Sequence, residues 1–140
     1  LVLFKRRGDE IAFSADPVAR WTYPDPRQYL AHFPSLVRAL GGGAFTQGTA
    51  RQAEDYAGVA LWLPPGTEPD QAAVEASLPA GREAEFSGVF EAMASYHPHE
   101  VHWYVPLIGV DPLHHGKGCG AALLDDALNQ CDRDHVAAYL

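Results

Sequence analysis

The residues with the clearest chemical potential in this sequence are glycines that alternate over a short segment. Gly116, Gly118 and Gly120 come directly before an amphipathic stretch that starts at Ala121. Glycine has no Cβ atom, so it accepts positive φ angles and lets a ligand approach the main chain closely. The first N–H groups of a helix have no partner within the helix and carry the positive end of its dipole. This spacing therefore predicts a binding site for a phosphate or pyrophosphate, to which Lys117 would add a point charge.

Two predicted elements must position this glycine-rich turn. The apolar segment over residues 105–110 before the turn is typical of a strand. Apolar residues recur at helical spacing after it, and they are Ala121, Leu124, Leu128 and Cys131. We therefore predict a strand that leads through the turn into an amphipathic helix. A purely structural turn is the competing interpretation, because glycine-rich loops alone are weak evidence for a ligand.

Two other phosphate-binding loops fit the sequence less well. A P-loop needs a hydroxyl residue after its lysine, whereas Gly118 follows Lys117, so the ligand for magnesium is missing. The dinucleotide-binding fingerprint matches formally over residues 116–121, but in that motif the turn follows its strand at once. Here residues 111–115, including Pro112, intervene. A nucleoside triphosphatase is therefore disfavoured, and an NAD-binding oxidoreductase is kept as a weaker alternative.

The segment resembles the acyl-CoA loop of GNAT-type N-acetyltransferases. The signature of that family, Arg/Gln-x-x-Gly-x-Gly/Ala, falls on residues 115–120, with His115 in the place of Arg or Gln. The resemblance implies that strand main chain pairs with the pantetheine arm of acetyl-CoA and that loop amides hold the pyrophosphate. The cosubstrate-binding residues implied in this way are Ile108, Gly109, Val110, His115, Gly116, Lys117, Gly118, Cys119, Gly120 and Ala121.

The resemblance also implies an α/β fold with a mixed central sheet flanked by helices. Residues 102–110 resemble the central strand of that fold, and the resemblance implies a first helix within residues 1–13. Residues 68–96 would be a helical insertion before the central strand, shaping either a substrate pocket or a subunit contact such as a homodimer interface. The sequence starts at Leu1, has Met93 as its only methionine and stops on an apolar run. We therefore expect one acyl-CoA N-acyltransferase-like domain over residues 1–140, incomplete at both ends and without its C-terminal strands.

The implied reaction is transfer of an acetyl group from acetyl-CoA to a primary amine by direct attack in a ternary complex. The acceptor would be a small-molecule or peptide amine. A positioned base that takes the amine proton contributes a factor of about 10² to 10⁴ in rate. Glu100 and His102 are the candidate catalytic residues, and main chain near Ile108 and Val110 would polarise the thioester carbonyl. Acyl transfer through Cys119 is the weaker route. A non-catalytic acyl-CoA sensor or structural domain is the alternative from another class.

The histidines raise the question of a metal site. Strand alternation would separate the polar residues before and within the central strand. It predicts Glu100, His102 and Tyr104 on one face and His97, His99 and Trp103 on the other. No His-x-x-x-His or Cys-x-x-Cys motif accompanies them, so we expect no metal.

Composition limits the classes of binding partner and the cellular compartment that we expect. The formal charge of −8 argues against a nucleic-acid-binding surface, and no apolar run is long enough to cross a membrane. No secretory leader is visible. Cys119 and Cys131 fall at opposite ends of the predicted helix and out of disulfide reach, which favours a reduced, cytoplasmic protein.

The rest of the sequence predicts the elements around the site. A helix over residues 29–40 contains Pro34, and a hairpin joins strands at 49–55 and 57–63. A capping box at Thr67 and Asp70 opens a helix that ends near Leu78, and a second helix ends near His97. Aromatic and acidic residues of the early segment could either line an acceptor pocket or close the core, and we favour the core. They are Phe13, Asp16, Trp21, Tyr23 and Asp25.

Overall fold

A computed structural model describes residues 12–140 of the chain. The helix expected within residues 1–13 falls almost entirely outside them. The centre is a four-stranded sheet in the order β1-β2-β3-β4. The strands are β1 Ala50–Ala53, β2 Gly58–Leu63, β3 His102–Val110 and β4 Ala137–Tyr139. The first two pairings are antiparallel and the third is parallel, so the sheet is mixed, as predicted.

Helices flank this sheet on both sides. In chain order they are α1 Pro17–Thr22, α2 Pro26–Gly41, α3 Gly43–Thr46, α4 Gln71–Ser77, α5 Glu83–Tyr96 and α6 Cys119–Asp134. A short 3₁₀ helix, Pro112–His114, lies between β3 and α6. The predicted hairpin is confirmed as β1 and β2, and the predicted central strand as β3.

Local side-chain chemistry explains where three of the helices begin. The carboxylates of Asp16 and Asp25 accept hydrogen bonds from the first turns of α1 and α2, each of which has proline at its start. Pro34 lies within the continuous helix α2. Asp70 caps α4 by accepting a hydrogen bond from the N–H of Ala73 at 3.0 Å. The predicted start of this helix at Thr67 was therefore wrong, because the cap is Asp70 itself.

Two buried clusters lie on opposite faces of the sheet. One joins α1, α2 and α4 to β2 and includes Tyr23, Phe33, Val37, Leu61, Leu63 and Val74. The other lies between the sheet and α6 and includes Trp62, Trp103, Val105, Leu123 and Ala127. Because β3 and α6 both contribute side chains to the second cluster, the turn between them lies at one edge of a well-packed core.

The buried face of α6 differs from the predicted one. Its buried residues are Cys119, Leu123, Ala127 and Cys131, whereas Leu128 is 42% exposed and Ala121 is also exposed. The prediction was confirmed for Cys131 and in part for Leu124, which is partly buried against the same cluster, and it was wrong for Ala121 and Leu128. Both sets have nearly helical spacing, so the pattern alone could not decide the phase of α6, that is, which of its faces is buried. Packing decides it, because Leu123 fills the space beside Gly58, where an added Cβ would lie 3.0 Å from Leu123 Cδ1.

The predicted helical insertion is present as α4 and α5. Of α5 only Phe86 is buried, whereas Val89 and Met93 are 39% and 54% exposed. The side chain of Arg82, which precedes α5, lies 4.8 Å from the ring centroids of both Trp21 and Phe86. The start of α5 thus packs against Trp21 of the early segment, while the later turns of α5 border a cavity.

Candidate active site

The strand β3 offers a main-chain edge beside the predicted site. It pairs with β2 from Tyr104 to Val110 and with β4 at His102, Trp103 and Tyr104. In the part of the chain that the structure describes, residues 105–110 therefore have no strand on the β4 side. Ile108, Gly109 and Val110 lie on this free edge, where an extended ligand could pair with the backbone.

Gly109 also has a packing role that the sequence did not reveal. A Cβ atom added there would lie 2.7 Å from Cε2 of Phe13 and 3.0 Å from Cβ of Ala12. Contacts this short would force the two residues to move, so glycine is required by the protein itself at this position. Its presence is therefore not independent evidence for a ligand.

Asp111 holds the linker between strand and turn in place. Its backbone N–H donates to the carbonyl of Ala57 at 2.7 Å, and its carboxylate accepts from the N–H of Leu113 at 2.8 Å. His115 then turns back toward the strand, and its Nε2–H donates to the carbonyl of Val110 at 2.8 Å. The side chain of His115 thus braces the turn at the position where the resemblance has Arg or Gln.

The turn itself presents a row of free amides. Gly116 and Gly118 have φ angles of 73° and 86°, and an added Cβ on either residue would meet no described atom within 4 Å. Gly118 is the N-cap of α6, and no side chain of residues 12–140 makes a capping bond there. The first hydrogen bond across the cap runs from the N–H of Ala122 to the carbonyl of Gly118 at 2.9 Å. Within residues 12–140 no atom accepts a hydrogen bond from the amides of 116–121.

The side chains of this turn differ in exposure. Lys117 is exposed, so its ammonium group is available beside the free amides. Cys119 is 3% exposed, because it is the first residue of α6 and faces the core. Cys119 and Cys131 are both free and buried, and burial raises the pKa of the Cys131 thiol. The loop therefore offers backbone donors and one cation, with its thiol turned inward.

A cavity of about 670 Å³ lies at the other end of β3, where β4 begins. It is bordered by the insertion through Phe90 and Met93 and by the start of β3 through His102 and Tyr104. Among residues 12–140, its lining includes the carboxylate residues Glu68 and Glu100 together with His97, His99 and Tyr139, and it includes no Lys or Arg. Such a lining suits a ligand with a cationic group and an apolar body. The turn over residues 116–121 does not contribute to this cavity.

Two histidines meet at the edge of this cavity. The Nε2 atoms of His97 and His102 lie 2.9 Å apart, and Nδ1 of His102 lies 2.6 Å from the carbonyl oxygen of Glu100. The prediction that strand alternation would separate His97 from His102 was therefore wrong. His97 caps the end of α5 and is not part of the strand, so its direction is set by the loop that follows the helix.

The two predicted catalytic residues occupy different settings. His102 is the first residue of β3, is half-buried and lines the cavity, with both ring nitrogens engaged. Glu100 precedes the strand and is exposed, and it is its backbone carbonyl that contacts His102. The two residues are thus brought together, but through the main chain of Glu100.

Aromatic rings fix the position of His97, which the sequence did not single out as a base. Its ring lies 4.9 Å from Tyr104 and 4.8 Å from Tyr139, both in edge-to-face geometry. Burial lowers the pKa of His97, the neighbouring His102 and His99 lower it further, and Glu68 opposes them. Burial and the nearby Tyr139 raise the pKa of Tyr104. A helix end and two strands assemble this cluster, so no local pattern could have revealed it.

The early aromatic and acidic residues lie away from the cavity. Tyr23 is fully buried, Phe13 packs 5.7 Å from Phe33, and Trp21 packs 4.8 Å from Phe86. The carboxylates of Asp16 and Asp25 cap helices. None of the five residues Phe13, Asp16, Trp21, Tyr23 and Asp25 is in the lining of the 670 Å³ cavity. The favoured interpretation as core residues fits Tyr23 and Phe13, whereas Trp21 is 36% exposed.

Over the described residues, no group of three or more His, Cys, Asp or Glu side chains could hold a metal ion. The helices in that part of the chain include none with both the length and the apolar character needed to cross a membrane.

The geometry can be compared with a solved structure. A crystal structure described as histone acetyltransferase HPA2 and related acetyltransferase, from Corynebacterium glutamicum ATCC 13032, is similar with a TM-score of 0.52 and 22% sequence identity. The predicted GNAT-like α/β fold is confirmed. The similarity covers 86% of this chain and 61% of that acetyltransferase. No family model matches the sequence. In this acetyltransferase fold the free edge of β3, the turn before α6 and the cavity at the start of β3 lie along one central strand.

Proposed function

We propose that this domain is an N-acetyltransferase that moves an acetyl group from acetyl-CoA to a primary amine in a ternary complex. The observation that carries the proposal is the row of free amides over residues 116–121 at the start of α6. Six consecutive donors without acceptors in the described chain would be costly unless water or an anion satisfied them. A diphosphate satisfies several at once and gains from the positive end of the helix.

The fit of acetyl-CoA to this turn can be judged from the glycines. Gly116 and Gly118 have left-handed φ angles, and the space where their Cβ atoms would stand is open. A bound diphosphate would contact the amides of the turn, and Lys117 would supply a counter-charge. The free edge at Ile108 and Val110 would pair with the amide groups of the pantetheine arm, and the N–H of Ile108, at the end of this edge nearer the cavity, would polarise the thioester carbonyl.

The cavity at the start of β3 is proposed as the acceptor site. Glu68 and Glu100 supply negative charge, and the rings of Tyr104 and Phe90 supply apolar surface. An ammonium group is attracted by carboxylates and by aromatic faces, whereas a polyanionic acceptor would be repelled. We therefore propose a small-molecule or peptide amine as the acceptor, and a nucleic acid is disfavoured by the formal charge of −8.

The thioester already activates the acyl group, so the protein has to orient the amine and receive its proton. The second task is proposed for the polar cluster of the cavity, to which both sequence-predicted residues, Glu100 and His102, belong. Direct attack is proposed in preference to an acyl-cysteine, because Cys119 is buried and faces the core. A cytoplasmic location and a homodimer built through the insertion remain predictions from the sequence.

Ligand binding and turnover test this proposal separately. Thermal unfolding of the full chain should shift upward with acetyl-CoA and not with NAD, because only a ligand that binds the folded state stabilises it. CoA release should then be followed with a thiol reagent over a panel of amines. Stabilisation by NAD in place of acetyl-CoA would favour the oxidoreductase. Tight acetyl-CoA binding without turnover on any amine would favour a sensor.

A further inference from the structure

We infer that His97 receives the amine proton at its Nδ1 atom and that His102 is a positioning residue behind it. This inference rests on the proposed acetyltransferase function and assigns the base within that site. It rests on the contacts of the two rings with each other and with the main chain, which together determine which nitrogen of each ring carries the proton.

The contact with the main chain sets the tautomer of His102. Its Nδ1 lies 2.6 Å from the carbonyl oxygen of Glu100, and a carbonyl oxygen can only accept. The proton of a neutral His102 therefore resides on Nδ1. Its Nε2 then carries the lone pair and must act as an acceptor.

The contact between the rings sets the tautomer of His97. Since Nε2 of His102 accepts, Nε2 of His97, at 2.9 Å, must donate its proton. The lone pair of a neutral His97 is then on Nδ1, which has no hydrogen-bond partner among residues 12–140. His102 has no free nitrogen left, so the pair can gain a proton without breaking its hydrogen bond only at Nδ1 of His97.

The surroundings keep His97 neutral and held in one orientation. The rings of Tyr104 and Tyr139 contact it edge to face, and burial lowers its pKa. The charged or titratable groups near it are His102, His99, Glu68, Glu100, Tyr104 and Tyr139. His102 and His99 act in the same direction as burial, and Glu68 acts against them. A neutral imidazole at neutral pH is what a proton acceptor requires.

The proton balance is simple. An acceptor that arrives as an ammonium ion first loses one proton to solvent. As the nitrogen of the resulting neutral amine attacks, its bond to the carbonyl carbon forms and the carbon–sulfur bond breaks, with the electron pair leaving on sulfur. One N–H proton passes to Nδ1 of His97, which becomes an imidazolium that still donates from Nε2 to His102. Return of this proton to the thiolate or to solvent restores the neutral pair.

Three glutamine variants test the assignment. His97→Gln places an amide near the position of Nε2, so it can still hydrogen-bond His102 but cannot accept a proton. We expect kcat/KM to fall by about 100-fold or more while the dissociation constant for acetyl-CoA changes less than about threefold. His102→Gln keeps an acceptor for His97 and should lose less than about tenfold. His32→Gln removes an exposed histidine of α2 and should leave kcat/KM unchanged.

The pH profile separates a base from a structural residue. With an aromatic amine as the acceptor, whose nitrogen is already neutral in this pH range, kcat/KM of the wild type should rise with pH through a midpoint below 6.5, the ordinary pKa of histidine, because His97 must lose its proton to act. This acid limb should be absent in His97→Gln and present in His102→Gln. An acid limb lost only in His102→Gln, with His97→Gln within threefold of wild type, would overturn the assignment in favour of His102.

Nitrogen NMR gives a readout that does not need activity. The ¹⁵N shifts of the two rings at neutral pH should show the proton on Nδ1 of His102 and on Nε2 of His97. The opposite tautomers would overturn the relay even if the enzyme is active. Wild-type protein that binds acetyl-CoA but releases no CoA with any amine would instead overturn the proposed reaction, and with it the role of His97.

Discussion

The hydroxyl of Tyr23 donates a hydrogen bond to the carbonyl of Ser77 at 2.8 Å, and both residues are buried. This contact joins the segment after α1 to the end of α4, which are far apart in the sequence. Because α4 belongs to the insertion that borders the cavity, the hydrogen bond couples the candidate acceptor site to the core of the domain.

Tyr23→Phe should destabilise the protein by about 1 to 2 kcal/mol, because it leaves the carbonyl of Ser77 buried without its donor. Urea unfolding followed by circular dichroism measures this difference. Tyr96→Phe is the matched control, since Tyr96 is 80% exposed and its hydroxyl should contribute less than about 0.5 kcal/mol. Equal stability of the two variants would contradict the buried hydrogen bond.

The same tyrosine should make stability depend on alkaline pH. Burial raises the pKa of Tyr23 above its ordinary value of 10.0. Its contribution is fully present below that value and is lost as the pH rises toward the folded pKa, because only the unfolded chain ionises there. Unfolding free energies at about pH 8 and about pH 11 should therefore differ more for the wild type than for Tyr23→Phe. An identical pH dependence in both proteins would show that folding does not oppose ionisation of the Tyr23 hydroxyl.

The phase of α6 can be tested by two leucine truncations. Leu123 is 2% exposed and Leu128 is 42% exposed. Leu123→Ala should cost about 2 to 5 kcal/mol, since it opens a cavity between the helix and the sheet. Leu128→Ala should cost less than about 1 kcal/mol. A larger cost at Leu128 in thermal or urea unfolding would support the phase that the sequence pattern predicted.

Substitutions of the two glycines at the start of α6 should show whether stability and acetyl-CoA affinity change independently. Gly118→Ala forces a side chain into a left-handed conformation, so we expect a loss of about 1 to 2 kcal/mol in stability and at least tenfold in acetyl-CoA affinity. An added Cβ at Gly120 would lie 3.8 Å from Val110 Cγ2, an ordinary contact. Gly120→Ala should therefore keep or raise stability by up to about 1 kcal/mol and still weaken acetyl-CoA binding.

Calorimetric titration and unfolding on the same two variants measure both quantities. Wild-type affinity in both variants would remove the support for a ligand at the free amides. A loss of affinity in Gly120→Ala without a loss of stability would be the clearest evidence that the ligand lies against this main chain.

Much of the fold and of the glycine-rich turn could be predicted from local sequence. The hairpin, the strand His102–Val110 and the helix after the glycine-rich turn depend on short-range patterns of apolar residues, turn formers and caps. The left-handed backbone at Gly116 and Gly118 is possible because glycine has no Cβ atom, a property of the residue type itself. These features need no knowledge of distant parts of the chain.

Other features depended on tertiary structure. The pairing of His97 with His102 is made where a helix end meets a strand, the phase of α6 is set by packing of Leu123 against Gly58, and Gly109 is required by Phe13. Each is a contact between residues whose local sequences permit several arrangements of similar energy. Only the packing of the whole domain selects one of them, because burial and close contact act between segments that the sequence keeps apart.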